Sequence, residues 1–340
     1  MKYPVPLLLL LPLLACTAPA PERMPVLYCT DLFHPHDDPD DHFDLAALYA
    51  LPEIHILGVV LDQGEKQRLR PGRIPVAQMN RITGRDVPCA TGLDRPLRHP
   101  GDPGRDQPAA CQGGVELILR SLRESREKVT LITVGSLRDL AAAWNRDPDL
   151  LRRKTARLVL FIGEASAATR EWNVGLDPQA FIAVMNSGLP IWWIPCFDGG
   201  NFKNRGHASF WRADQAELLA AAPDRVLNFF LYALKKVEGK DPLAWLEPPP
   251  DSGARARILE GPRNMWCAPL FAHLAGRRPG GPPLFDFTRL HLRVDGQARV
   301  VYGESPRSHP VHRFRILDRE RYPAAMTALT RELIASLDRP

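Results

Sequence analysis

The stretch "MPVLYCTDLFHPHDDPDDHFDLAALYAL" (24–51) decides the fold. It holds a continuous apolar run over 24–29, within which a strand is predicted to begin, and a second apolar run over 45–51 that belongs to a predicted helix. A strand that is apolar at every position is typical of a parallel sheet covered by helices on both faces. Aspartate and histidine side chains crowd the segment between the two runs. Because open parallel sheets bind ligands beyond the carboxyl ends of their strands, this junction is a candidate site.

The rest of the chain repeats this alternation of short apolar runs and amphipathic segments. Strands are predicted at 26–30, 54–61, 129–134, 157–163 and 190–195, and helices at 43–51, 74–83, 114–126, 136–146, 177–187 and 321–337. "LHLRVDGQARVVYG" (290–303) predicts a late β-hairpin around an Asp-Gly turn, and 239–257 is interpreted as a loop. The pattern predicts an α/β fold with a mostly parallel, Rossmann-like open central sheet flanked by helices.

The N-terminal segment "MKYPVPLLLLLPLLAC" (1–16) is interpreted as a lipoprotein-type signal peptide. Its apolar run is short for a bilayer span, and "LLAC" resembles a bacterial lipobox with Cys16 as the lipidated residue. An ordinary signal peptide that happens to contain a cysteine is the alternative. We expect 17–25 to be a tether and 26–338 to be a single domain. Acyl chains on Cys16 are then expected to hold the protein at a bacterial membrane surface outside the cytoplasm. Thr17 favours the periplasmic face of the outer membrane.

Composition and charge fit a single globular protein and do not point to nucleic acid. The chain has 340 residues, of which 45% are hydrophobic, and a formal net charge of +5. The arginines that supply most of the positive charge are scattered along the chain. No basic stretch alternates with aromatic residues, as a platform for stacking bases would require. We therefore expect a small-molecule partner and no nucleic-acid partner.

The cysteines after residue 16 are expected to be mostly free thiols. They are Cys29, Cys89, Cys111, Cys196 and Cys267, an odd number without a C-x-x-C pair. The compartment implied by the signal peptide permits disulfides, so one bridge remains possible.

The acidic segment after the first predicted strand has two interpretations. Aspartates near a helix start stabilise its dipole, so a solvated loop that caps the helix is one of them. Carboxylates packed this closely also repel one another unless a cation, a proton or solvent lies between them. Hard oxygen donors favour Ca²⁺ or Mg²⁺ over a soft metal, so a divalent-cation site is the other.

Five segments, in order along the chain, resemble one enzyme family. The first is "TDLFHPHDDPDDHFDLAALYALPEIHILGVVLDQG" (30–64). The others are "ITVGSLRDLAAA" (132–143), "EWNVGLDPQAF" (171–181), "SGLPIWWIP" (187–195) and "VDGQARVVYG" (294–303). Together they resemble the inosine–uridine preferring nucleoside hydrolases, and the chain is identified as a divergent member of that family.

The resemblance implies a hydrolase that cleaves the N-glycosidic bond of a ribonucleoside or a related ribosylated compound. The reaction passes through an oxocarbenium-like ribosyl cation that water attacks. The resemblance implies a Ca²⁺ ion that holds this water, with Asp31 as general base and calcium ligand. It further implies Asp41 and the main-chain carbonyl of Val134 as calcium ligands, and Asp40, Glu171 and Asn173 as residues that bind the ribose. Members of the family are often oligomers, so a homo-oligomer is possible.

The sequence departs from the family pattern at several places. "FHPHD" (33–37) lengthens the loop before the aspartate pair, the family's asparagine after the second strand falls near Glu65, and the stretch before Glu171 is shortened. Trp266 and Cys267 stand where the family carries a histidine that protonates the leaving base and an aspartate that binds calcium. A neutral thiol is a poor calcium ligand, and an indole is no acid catalyst. Trp266 either stacks on a planar base or packs at a helix start.

Three interpretations of function follow. The first is the N-ribosyl hydrolase, in which one of the loop histidines His34, His36 and His42 replaces the missing proton donor, unless these are exposed loop residues. The second is a catalytically impaired lipoprotein that binds a sugar or a nucleoside. The third is a divalent-metal hydrolase with another substrate, for which His34 and His36 are the candidate ligands.

Overall fold

The computed structural model describes residues 23–166, 170–278 and 280–337. Its strands are β1 Met24–Thr30, β2 Ile54–Leu61, β3 Cys89–Thr91, β4 Val129–Thr133, β5 Thr155–Phe161, β6 Ile191–Ile194, β7 Trp211–Asp214, β8 Pro262–Met265, β9 Phe285–Val294, β10 Val300–Tyr302 and β11 His309–Ile316. Its helices are α1 Asp40–Tyr49, α2 Gly64–Leu69, α3 Arg73–Thr83, α4 Gly113–Glu124, α5 Arg138–Arg146, α6 Pro148–Lys154, α7 Trp172–Leu176, α8 Pro178–Met185, α9 Gln215–Leu219, α10 Asp224–Leu234, α11 Ser252–Ile258, α12 Ala268–Leu274 and α13 Tyr322–Ser336.

The central sheet has nine described strands in the order β10-β9-β11-β6-β5-β4-β1-β2-β3. All neighbours from β11 to β3 pair in parallel, whereas β9 pairs antiparallel with both β11 and β10. β7 and β8 form a separate antiparallel pair. The predicted fold class is confirmed: an open, mostly parallel sheet flanked by helices, with the late hairpin at β9 and β10.

Both faces of the central strands are buried. Val26 and Tyr28 of β1 pack into one hydrophobic cluster, and Leu27 and Cys29 pack into a second cluster on the opposite face. All four side chains are at most 5% exposed. Burial on both sides explains why β1 reads as a continuous apolar run rather than an alternating one.

The predicted strands and helices lie within three residues of the observed boundaries. The interpretation of 239–257 as a loop was wrong at its end, where α11 begins at Ser252. Asp251 caps this helix, since its Oδ1 accepts a hydrogen bond of 2.8 Å from the Ala254 amide. The prolines before Asp251 are typical of a loop, whereas the aspartate itself is a typical N-cap residue.

The predicted signal peptide, including Cys16, lies outside the described residues, as does the predicted tether up to residue 22. β1 already begins at Met24, so the last residues of that tether belong to the sheet. Across 23–166, 170–278 and 280–337, no helix is both long and apolar enough to traverse a bilayer. The five cysteines from Cys29 to Cys267 are free, as predicted.

Candidate active site

A cavity of about 440 Å³ lies at the carboxyl edge of the central sheet. Asp31 directly follows β1, Val134 directly follows β4, and Glu171 ends the segment between β5 and α7. Because parallel strands all end at this edge, residues far apart in the sequence meet there. All six residues proposed for metal and ribose binding lie on the cavity lining: Asp31, Asp40, Asp41, Val134, Glu171 and Asn173.

Asp31 lies in a narrow space between β1, β2 and β4. A Cβ atom at Gly135 would lie 3.0 Å from the Asp31 Oδ1 and 3.0 Å from the Asp62 Oδ2, so a larger residue there would press on both carboxylates. Burial raises the pKa of Asp31 to about 8, and repulsion from Asp62 and Glu171 contributes to the rise. Without a cation nearby, this carboxyl therefore holds its proton at neutral pH.

Asp62 is a part of this arrangement that sequence reasoning missed. Its Oδ2 accepts a hydrogen bond of 2.8 Å from the Ser136 amide, and its Oδ1 accepts one of 2.7 Å from the Gln63 amide. It follows β2 immediately, at the same edge as Asp31, and that position is the signal from which it could have been predicted. Glu65, near which the family's asparagine falls, is instead an exposed residue of α2.

The aspartate pair forms the first turn of α1, but neither side chain caps that helix. Pro39 is the N-cap residue and makes no side-chain hydrogen bond. Asp41 is held by Thr30, whose Oγ1 donates a hydrogen bond of 2.8 Å to the Asp41 Oδ1. Burial raises the pKa of both Asp40 and Asp41 well above the usual range, and repulsion from Asp31 and Asp44 contributes to both shifts. The helix thus presents two crowded carboxyls to the cavity.

The segment around Glu171 is fixed by backbone hydrogen bonds. The Glu171 carboxylate caps α7, because Oε1 accepts from the Asn173 amide at 2.9 Å and Oε2 accepts from the Val174 amide at 3.2 Å. Oε2 also accepts from the Gly163 amide at 2.9 Å. Asn173 Nδ2 donates to the Val134 carbonyl at 3.0 Å, while its Oδ1 is buried without a partner. A buried acceptor without a hydrogen-bond partner can accept a hydrogen bond from a bound ligand.

The histidines of the loop before α1 and of its first turn make their contacts outside the cavity lining. His34 Nε2 lies 2.6 Å from the Val237 carbonyl, and its ring stacks on Tyr232 with 4.5 Å between centroids. The rings of His36 and His42 contact each other with centroids 5.9 Å apart. All three side chains are buried, which excludes the alternative that they are exposed loop residues. None of them lines the cavity, which removes them as proton donors in this arrangement.

Trp266 and Cys267 lie at the start of α12 and line the cavity. Trp266 donates from Nε1 to the Cys196 carbonyl at 3.2 Å and packs beside Phe197 and Phe210. Cys267 is buried, and burial together with the nearby Asp44 raises the pKa of its thiol well above the usual value. Asp44 is also buried, and one of its carboxyl oxygens has no partner. The thiol therefore stays protonated next to the carboxylates.

The donor chemistry fits a hard cation only in part. Asp31, Asp41 and the Val134 carbonyl offer oxygen atoms of the kind Ca²⁺ prefers, and the crowding of the carboxyls favours a positive charge among them. The neutral Cys267 thiol does not suit such an ion. Within the described part of the chain, no three acidic, histidine or cysteine side chains are arranged to hold a metal. A cation here would be bound by two carboxylates with carbonyl and water oxygens.

Comparison with known proteins shows which family this chain resembles. The family described as "Inosine-uridine preferring nucleoside hydrolase" matches residues 35–319. The pyrimidine-specific ribonucleoside hydrolase RihA of Enterobacter sp. (strain 638) is 32% identical over 173 residues, which cover 45% of this chain and 55% of that protein. The chain thus spans about half the length of the curated relatives it matches.

Solved structures show the same fold over almost the whole chain. A plant nucleoside hydrolase superposes with a TM-score of 0.58 and 17% identity, covering 90% of this chain and 98% of that one. The inosine-uridine preferring nucleoside hydrolase of Bacillus anthracis superposes with a TM-score of 0.55 and 17% identity, covering 91% and 99%. The family match over most of the chain and this common architecture lead to one conclusion. The chain belongs to the inosine-uridine preferring nucleoside hydrolase family.

Proposed function

We propose that the protein hydrolyses the N-glycosidic bond of a ribonucleoside or a related ribosylated compound. The observation that supports this most is the meeting of Asp31, Asp41, the Val134 carbonyl, Glu171 and Asn173 on one cavity at the sheet's carboxyl edge. These residue types suit the reaction, which needs a base for water and acceptors for sugar hydroxyl groups. The curated relatives named above are ribonucleoside hydrolases, which supports the same substrate class.

Asp31 is the proposed general base. A carboxylate whose pKa is raised by burial and by neighbouring carboxylates is a stronger base near neutral pH than an exposed one. Asp31, Asp41 and the Val134 carbonyl would hold a calcium ion, which when bound supplies an electrophile that orders the water and the ribose diol. Gly135 keeps the Asp31 carboxylate in place, because any larger residue would collide with it.

Asp40, Glu171 and Asn173 are the proposed ribose ligands. Each oxygen of the Glu171 carboxylate already accepts from backbone amides, yet a carboxylate has about four acceptor sites and so retains capacity for a hydroxyl group. The unpaired Asn173 Oδ1 is a second acceptor for the same sugar. Asp40 lies across the cavity lining on α1. Acceptors from α1 and α7 would therefore hold the ribose between them.

We also propose that the protein is a lipid-anchored, extracytoplasmic enzyme. The support is the sequence "LLAC" (13–16), which resembles a lipobox with Cys16 as the lipidated residue, ahead of the expected short tether. Labelling of cells with a radioactive fatty acid tests this directly, with Cys16→Ala as control. A homo-oligomer is proposed from the family resemblance alone.

A second candidate function is binding of a sugar or nucleoside without turnover. One observation favours it: Cys267 and Trp266 take the places of a calcium ligand and a proton donor. Loss of acid catalysis reduces rates by about a hundredfold to ten-thousandfold, so weak turnover remains compatible with the first candidate. The third interpretation, a hydrolase with a histidine-bound metal, gains no support, since His34 bonds to Val237 and the other histidines face away from the cavity.

Release of free ribose from a panel of nucleosides in calcium buffer tests the hydrolase. We expect slow but measurable release from the natural chain and none from Asp31→Asn. The matched control is Asp149→Asn, because Asp149 is exposed on α6 and pairs only with Arg152 across the surface. Absence of release from every ribosylated compound contradicts the hydrolase and leaves the binding function.

A further inference from the structure

The cavity carries two groups of side chains with opposite character. In the described part of the chain, seven acidic side chains and one arginine line it, and no lysine or histidine does. Six aromatic side chains of the described residues also line it, and Phe197, Phe202 and Trp266 form one aromatic group among them. Phe197 and Phe202 follow β6, and Trp266 precedes α12. A ligand that enters this cavity therefore meets crowded carboxyl groups, whose ionised form a positive charge would favour, and several π-faces.

Phe202 is the most exposed of these three rings, although Trp172 on the same lining is more exposed, and it is held in an unusual backbone conformation. Its φ is 58°, in the left-handed region that bulky residues rarely adopt. Gly199 and Gly200 before it also have positive φ, and their amides donate to the Glu164 Oε1 at 3.1 and 2.8 Å. This anchoring allows the turn to project Phe202 onto the cavity lining, where its side chain remains 57% exposed.

Phe202 packs against two neighbouring rings. Its ring meets Phe197 edge-on at 5.3 Å and Phe210 edge-on at 5.9 Å. Phe210 in turn contacts Trp266, whose indole N–H is already used by the Cys196 carbonyl. The aromatic group therefore offers a planar ligand its π-faces, while the one indole N–H among these rings has a protein partner.

No histidine among the described residues lines the cavity to protonate a departing base. His34, His36 and His42 pack toward α10 and its C-terminal end, and the Cys267 thiol is buried against Asp44. A neutral nucleobase leaves as an anion unless it is protonated, so its departure is slow without an acid. A leaving group that is already a cation departs as a neutral molecule and needs no acid.

We propose that the cavity selects ribosylated compounds with a planar cationic leaving group, of the N-ribosylpyridinium class. This inference rests on the proposed function and names its substrate. The cationic ring would stack on Phe202 and Trp266 by cation–π attraction, as quaternary ammonium ligands do in aromatic cages. A positive charge on the ring favours the ionised form of the crowded carboxyls around it, an interaction that a neutral base lacks.

The reaction balances without a proton donor. The bond between C1′ and the pyridinium nitrogen breaks, and its electron pair stays on nitrogen, which gives a neutral pyridine. The oxygen of water bonds to C1′, and Asp31 accepts the proton that this water loses before passing it to solvent. The products are ribose, the neutral pyridine and one proton.

Kinetic comparison of a cationic with neutral substrates tests the selection. Ribosylnicotinamide, inosine and uridine are supplied to the full chain in calcium buffer, and ribose release gives kcat/KM for each. We expect kcat/KM for ribosylnicotinamide to exceed the neutral values by about a hundredfold, the lower range of one general acid. Phe202→Ala and Phe202→Leu are both expected to lower that advantage about fivefold to tenfold, because both remove the π-face. Trp144→Leu removes a ring outside the cavity and is expected to leave the advantage unchanged.

A binding measurement separates this inference from the proposed function. 1-Methylnicotinamide, methylated on the ring nitrogen, is a pyridinium cation without ribose, and nicotinamide is its neutral counterpart. Quenching of tryptophan fluorescence reports the binding of each. Tighter binding of the cation, weakened by Phe202→Leu, supports the selection even if no substrate is cleaved, in which case only the hydrolase fails. Cleavage of inosine or uridine as fast as ribosylnicotinamide overturns the selection and leaves the hydrolase standing. Equal binding of cation and neutral compound, without cleavage of any substrate, overturns both.

Discussion

The side-chain amide of Asn173 donates a hydrogen bond of 3.0 Å to the main-chain carbonyl of Val134. This bond joins the start of α7 to the end of β4, two segments separated by 39 residues. It brings a proposed ribose ligand into contact with a carbonyl proposed to bind the cation. The sugar and the ion would therefore be bound next to each other, and a change in either residue is expected to affect both.

Replacement of the proposed base is expected to stabilise the fold. Burial raises the pKa of Asp31 to about 8, so at neutral pH the folded chain keeps a proton that the unfolded chain releases. Keeping this carboxyl protonated in the folded chain lowers the stability at neutral pH. Asp31→Asn removes that penalty and is expected to raise the free energy of unfolding by about 2 kcal/mol in calcium-free buffer. Urea unfolding measures the change, with Asp149→Asn expected to stay within about 0.5 kcal/mol. A destabilised Asp31→Asn variant contradicts the environment described for this carboxyl.

The loop histidines are expected to make stability fall in mild acid. Burial lowers the pKa of His36 to about 4, whereas an unfolded histidine titrates near 6.5. Between these values the unfolded chain binds a proton that the folded chain does not, so stability decreases as the pH falls through this window. His36→Phe keeps the ring shape, and both ring nitrogens lack partners. The natural chain is expected to lose about 1 kcal/mol more than this variant between pH 7 and pH 5. Urea unfolding at both pH values measures this difference. Equal losses of unfolding free energy in the natural chain and in His36→Phe contradict the prediction.

A methyl group at Gly135 is expected to impair activity more than folding. Its Cβ would lie 3.0 Å from the Asp31 amide nitrogen, the Asp31 Oδ1 and the Asp62 Oδ2, so the Asp31 carboxylate must move. Misplacement of a reacting group by about 1 Å costs on the order of a hundredfold in rate. We expect Gly135→Ala to lower kcat/KM for ribose release by at least about tenfold. Gly101→Ala serves as control, because its nearest neighbour, His99 Nδ1, is 3.6 Å away. Equal activities of the two variants would show that the carboxylate adapts.

A carboxylate at position 267 is expected to strengthen calcium binding. The Cys267 thiol lies beside Asp44 on the cavity lining and is a poor ligand for a hard ion. Cys267→Asp is expected to tighten the calcium Kd about tenfold, equivalent to about 1.4 kcal/mol. In chelator the same variant is expected to have a lower Tm, since the new charge is buried beside other carboxyls. Calorimetric titration and thermal unfolding measure both effects, with Cys267→Ser as the uncharged control. An unchanged Kd places the ion away from α12.

The parts of the fold that follow from local pattern were predictable. Apolar runs predicted both β1 and α1. For β1 the run is continuous because burial on both faces leaves few polar positions in a central strand. The placement of Asp31 at the sheet's carboxyl edge followed from its position directly after β1. The positions proposed for Glu171 and Asn173 came from the family resemblance, and the structure adds that the Glu171 carboxylate also caps α7.

Features that depend on distant contacts were not predictable. His34 is buried where its ring forms a hydrogen bond with the Val237 carbonyl, 203 residues away in the sequence. No local sequence pattern predicts that contact. The pairing of Asp31 with Asp62 across Gly135 depends on how three strands align. Phe202 belongs to a turn whose conformation is set by Glu164 on another segment. Each case needs the tertiary arrangement before the side chain's environment is defined.

A crystal structure of the protein grown with calcium tests the proposed active site most directly. We expect a single ion between the carboxylates of Asp31 and Asp41, with the Val134 carbonyl also coordinated, at distances of about 2.3–2.6 Å. Carboxylates of Asp31 and Asp41 that point apart at saturating calcium, with no ion between them, would contradict the proposed catalyst.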